Sequence, residues 1–234
     1  MRTKRTGTAW VLMAVVAFTL QARAQSARKP YTKMAPVDQY LIADQNTEIA
    51  LARSAAPESI SANATVMVLG RDGYTVAVPG TNHFVCLVER SWDAAIGDPL
   101  FWDPEIRGPD CYNPAAAESY LPIVQMKARL ALAGKSQAQI HRAIQTAFAQ
   151  KKLPQISPGA IGYMMSKNGR IGEQAQKWHP HLMFFVPLSM GKSWGANLPG
   201  SPILSDDDVS DRLTIFMVPV SRWSDGSPDS NAGN

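Results

Sequence analysis

The chain has 234 residues, with 23 lysines and arginines against 19 acidic residues and a formal net charge of +4. Four of the bases, Arg2, Lys4, Arg5 and Arg23, fall in the first 24 residues, where no carboxylate occurs, so the rest carries as many acids as bases. That balance lacks the basic footprint of a nucleic-acid binder or of a protein held on an anionic membrane.

The N-terminus reads as a secretory signal in its usual three parts. A basic start is followed by the apolar run Val11 to Leu20, broken only by Thr19, and then by Ala22-Arg23-Ala24. The run is too short to span a bilayer as a mature helix, and no later run is longer, so no stable membrane insertion is expected after cleavage. The cut is placed after Ala24. No cysteine sits there and no twin-arginine pair precedes it, so the expected destination is the periplasm or the medium by an unfolded-chain route. The remaining roughly 210 residues suffice for one core. The expected organisation is a flexible lead-in over 25–36, a single domain over 37–223 and a disordered tail over 224–234.

Pro36 predicts the first turn of a helix running to about Ala55, with Asp38 near its positive end and Pro57 beyond its stop. Three β-rich runs follow, Ala64 to Leu69, Tyr74 to Val78 and Phe84 to Arg90. Gly70-Arg71-Asp72-Gly73 and Pro79-Gly80-Thr81-Asn82 divide them, which predicts an antiparallel meander. From Ser91 to Asn113 the pattern breaks into a long loop containing three prolines together with Trp92, Phe101 and Trp102; loops of that length in compact domains are commonly functional. Asn113-Pro114 opens a helix to about Ala133, kinked at Pro122 and closed by Gly134. Ser136 to Gln139 has capping-box spacing, and Ile140, Ile144, Ala147 and Phe148 share one face, so a second helix completes a hairpin. Further strands are expected over Ala160 to Ser166, His181 to Val186 and Leu213 to Val220, with a Gly- and Pro-rich stretch over Ser189 to Val209. The fold class is α+β: a mainly antiparallel sheet of about five to six strands, a helical hairpin and an N-terminal helix.

Cys86 and Cys111 are the only cysteines, and in an oxidising compartment they are expected to pair. Closing a loop of that length would contribute roughly 3 to 4 kcal/mol by restricting the unfolded chain.

Candidate chemistry is sparse. Trp178-His179-Pro180-His181 sets two imidazoles two residues apart at the start of a strand, where they project to one face; zinc is the one cofactor this pair suggests, and none is otherwise implied. A third ligand would come from His83, Glu89 or Asp93, the acids serving alternatively as general base, which defines a metal-dependent hydrolase as one reading. The pair departs from cupins, which need a Glu a few residues on where this chain has Leu182 to Val186. It departs equally from peptidoglycan metallopeptidases, since Arg90 stands seven residues after His83. The other reading is a binding domain for a small molecule, glycan or peptide. Loop aromatics Trp92, Trp102, Trp178 and Trp194, with Asn197, would stack on and hydrogen-bond to the ligand.

Val78-Pro79-Gly80-Thr81-Asn82 with Phe84-Val85-Cys86, Trp178-His179-Pro180-His181, and Ser193 to Gly200 are together similar to an uncharacterised family of exported bacterial proteins. The resemblance covers most of the mature chain. It implies a bacterial envelope or secreted setting and carries no activity.

Overall fold

The computed structural model describes residues 31–171 and 179–230. The signal segment and Trp178 therefore lie outside the described residues.

The fold is α+β: one mixed sheet of eight strands with five α-helices among the described residues. Pro36 starts only a 3-10 turn, Val37–Gln39, and α1 is Gln45–Arg53. The later start prevails because the Asp44 carboxylate accepts the N–H groups of Asn46 and Thr47, satisfying donors that a helix start leaves open. A short α2, Glu58–Ser61, leads into β1, Thr65–Gly70, and β2, Gly73–Val78, which form the predicted hairpin.

The expected meander stops there. β3, Val85–Glu89, pairs in parallel with β1 on the side away from β2. The chain crosses the start of β1: Gly80 N–H donates to the Thr65 hydroxyl and Thr81 N–H to the Asn63 carbonyl. Backbone lies so close on backbone that a Cβ on Gly80 would fall 2.1 Å from the Thr65 nitrogen. Glycine here permits a crossover, where the turn residues alone suggested a reversal.

The expected loop over 91–113 contains a fourth strand. β4, Gly108–Tyr112, pairs antiparallel with β3 along its length but with β5, Ala160–Met164, only at Cys111 and Tyr112; Pro109, lacking an N–H, stays out of that second ladder. β6, His181–Pro187, and β8, Leu213–Pro219, continue the sheet, and β7, Leu204–Asp208, closes it as an acidic edge strand. The expected sheet was thus short by β4 and β7. Both are poor in the residues that favour strands, and both form because neighbours supply the ladder.

Two core layers sandwich the middle of the sheet. Against one face α1 packs Ala52 with Val66, Cys86, Val88 and Cys111. Cys86 and Cys111 stand directly opposite on β3 and β4 and form the expected disulfide. Against the other face lie α3, Pro114–Ser119, α4, Leu121–Leu132, and α5, Gln137–Ala149. Asn113 caps α3 through the Ala116 N–H, and Pro122, with no N–H to continue the ladder, starts α4 as a separate helix. Ser136 and Gln139 form the capping box, and Ile140, Ile144, Ala147 and Phe148 are buried as the periodicity required. The segment after Arg222, expected as a tail, is tied down as far as Asp229: Trp223 and Asp229 are buried, and the Ser224 hydroxyl donates to the Ser54 carbonyl. Among the described residues no helix is long and apolar enough to cross a membrane.

Candidate functional site

The strand β3 ends at Glu89, and the next four residues, Arg90 to Asp93, turn away from the sheet in a 3-10 turn. Buried charge concentrates here. Arg90 is buried with a partner at each guanidinium nitrogen: Nε donates to the Tyr40 carbonyl, one terminal nitrogen to the Val88 carbonyl, and Nη2 lies 2.8 Å from Glu48 Oε1 on α1. Glu48 also accepts the Leu69 N–H. The pair thus welds α1 to β1 and β3.

Three residues on, Asp93 behaves differently. Its Oδ2 accepts the Arg90 N–H at 3.0 Å, which fixes the carboxyl's orientation, but Oδ1 is buried without a hydrogen-bond partner. Ser91 Oγ and Trp92 Nε1 are likewise buried and unpartnered. Asp93 is 8% exposed and Ser91 2%. Both line a cavity of about 160 Å³ that Glu89 also faces, and Leu100, Ile106, Ile171, Met183 and Ile215 supply apolar lining. Buried polar atoms without partners are few in native proteins and ask for a reason. A cavity of this volume matches one that holds a benzene-sized body.

The electrostatics follow from burial. Burial lifts the Glu89 carboxyl to about 7, opposed by the hydrogen bond from the Tyr112 hydroxyl and by Lys127. Burial, then the charge of Glu89, raises Asp93 well above the usual carboxylate range, and the same two causes raise Asp110 on β4. Lys127 projects from α4 into this region with no exposure; burial opposes its charge, but Asp211 at 2.5 Å and Asp208 at 3.6 Å more than offset that and hold its pKa above the ordinary lysine value. Its ammonium also donates to the Asp93 and Ala94 carbonyls. Asp208 and Asp211 are therefore committed to a lysine.

The expected metal and aromatic sites are not assembled as such. His179 Nδ1 lies 2.6 Å from Asp229 Oδ2, and His181 Nδ1 lies 2.8 Å from the His179 carbonyl. His181 is buried, which lowers its pKa. Two strands separate β6 from β3, a backbone spacing of about 14 Å, and His83 stands exposed in the crossover with a positive φ. Among the described residues no three His, Cys, Asp or Glu side chains converge as a metal set. Of the aromatics, Trp92 and Trp102 are core residues, packed on Tyr40 and Phe101 respectively. Trp194 stacks on Phe216 with its ring partly exposed, and Asn197 clamps Ser205 of β7 through both backbone groups. Glu89 and Asp93 do meet, at the cavity. Ser91 lines the cavity with them, while Tyr112 bonds Glu89 and Lys127 bonds the Asp93 carbonyl; none of the three is singled out by the sequence. Lys127 carried a signal: it falls on the same helical stripe as Ile123, Val124, Ala128 and Ala131.

Comparison of the chain with family models, with curated proteins and with solved structures finds no match.

Proposed function

We propose that this is the ligand-binding domain of an exported bacterial protein, acting in the periplasm or the medium, and that its site is the cavity at the end of β3. One observation carries the reading: Asp93 and Ser91, each with a buried side-chain oxygen that has no hydrogen-bond partner, line a cavity otherwise lined largely by apolar side chains. Largely apolar pockets with a few convergent polar groups are the usual form of small-molecule sites. Such atoms are costly to bury unless a ligand supplies the missing hydrogen bonds. The disulfide suits an oxidising compartment.

The test is a thermal-shift screen of small cationic, neutral and anionic compounds on the purified protein and on a Leu100→Trp variant that fills the cavity. A ligand should raise the melting midpoint of the wild type by several degrees and leave the filled variant unmoved. Shifts that survive the filling would place the binding elsewhere and end this reading.

A second reading, hydrolysis, rests on Glu89. A carboxyl lifted to about 7 has the pKa a general acid or base needs near neutral pH. Turnover of ester or peptide substrates, abolished by Glu89→Gln, would support it; the zinc-dependent form further requires stoichiometric zinc that is lost on His179→Ala with His181→Ala.

A further inference from the structure

The two edges of the sheet are finished differently. At one, β7 carries Asp206 and Asp207, and the Asn197 side chain bonds the Ser205 N–H and carbonyl on the outer side. Charge and cover are the usual means of keeping an edge strand from pairing. At the other, β2 has neither: Gly73–Val78 contains no charged residue, Thr75 is exposed, and Val76 is 57% exposed. We propose that this edge joins two copies of the chain, β2 pairing antiparallel with the partner's β2 about a twofold axis through Thr75.

The direction of the backbone groups supports that register. A two-residue turn closes on a hydrogen-bonded pair, here Gly70 and Gly73, and alternation then makes Val68 and Thr75 the next such pair. Tyr74 and Val76 therefore turn their N–H and carbonyl groups away from β1. The far side of β1 agrees: Thr65 N–H donates to the Phe84 carbonyl and Leu69 N–H to Glu48, both away from β2. Among the described residues no hydrogen bond reaches the outer groups of Tyr74 or Val76. With the axis through Thr75, Tyr74 lies opposite the partner's Val76, and each such pair exchanges both of its backbone bonds. The exposed Val76 side chain stands beside the partner's Tyr74, an aromatic and β-branched pairing that stabilises strands, while the Thr75 side chains meet on the other face. No like charges oppose each other, since the segment has none. A foreign strand would satisfy the backbone alone; a patch that matches itself in side chains and charge is what a closed twofold contact requires.

Sedimentation equilibrium of the purified protein over a series of concentrations tests this. The mass should rise with concentration toward that of a dimer. Val76→Pro removes an outward N–H and leaves the ladder to β1 whole, so it should raise the dissociation constant about tenfold or more while the dilute monomer keeps its melting midpoint. If Val76→Pro fails to fold, Val76→Lys, which charges this edge as β7 is charged, should weaken the dimer to the same degree. A wild type that stays monomeric at every concentration overturns the proposal, including the case in which the edge takes an extended peptide of another protein instead. A dimer whose dissociation constant is unchanged in the folded variant places the contact elsewhere and overturns it equally.

Discussion

Arg90 and Asp93 stand three residues apart, both buried and both charged by nature, yet they end in opposite situations. Around Arg90 all three guanidinium nitrogens donate, two to carbonyls and one to the Glu48 carboxylate, so the cost of burying the guanidinium is offset by hydrogen bonds that join α1 to β3. Around Asp93 one oxygen is used and the other is buried without a partner, in a residue that lines the cavity. The first arrangement is complete within the chain. The second is not, which is why the proposed site lies on the Asp93 side of this turn.

That contrast can be broken most severely on the Arg90 side. Arg90→Ala or Glu48→Ala strands a buried charge and should cost about 3–5 kcal/mol in urea unfolding; a loss under 1 kcal/mol would mean the pair is not holding α1. Next in size, replacing both Cys86 and Cys111 with serine frees a separation of 25 residues behind the same strand and should cost about 3–4 kcal/mol. Retention of full stability would show that the sheet alone positions β3. Gly162→Ala places a Cβ 2.8 Å from both Asp110 carboxylate oxygens, and should cost about 1–3 kcal/mol by overpacking.

The smaller effects lie on the Asp93 side. Glu89 is raised from its usual value to about 7 and Asp211 to about 6, both chiefly by burial. Between the unfolded values near 4 and these folded values, the folded protein binds more protons than the unfolded one. Stability from this source is therefore complete below about pH 4 and lost as pH rises through 6 to 7. Melting curves from pH 5 to pH 8 should fall, and Glu89→Gln should flatten the fall and gain on the order of 1 kcal/mol at pH 8. An unchanged slope would remove Glu89 from the buried acid cluster. Asp93→Asn, the mildest change, should leave stability within about 0.5 kcal/mol of the wild type or slightly above it, because the orienting bond from Arg90 survives and a buried carboxyl disappears. A large loss would show that Asp93 belongs with Arg90 as a structural residue.

The sequence by itself determined whatever is decided within a few residues: the capped starts at Asn113 and Ser136, the buried stripe of α5, the β1–β2 hairpin, and the pairing of the only two cysteines in a chain read as exported. Caps, stripes and tight turns are local, so their residues announce them. The Asp44 cap of α1 is equally local, and a reading that starts the helix at Pro36 passes it over. Tertiary structure decided the rest. β4 and β7 became strands, despite proline and aspartates, because flanking strands offered ladders. The loop tryptophans read as ligand contacts became partly core, and the histidine pair faced Asp229 and backbone. Glu89 and Asp93 were legible as acids at a strand end, but not what surrounds them. Lys127 comes from α4, Asp211 from the β7–β8 turn and Tyr112 from β4, and only the packing of these elements on one another decides which carboxyl is paired and which keeps an oxygen without a partner.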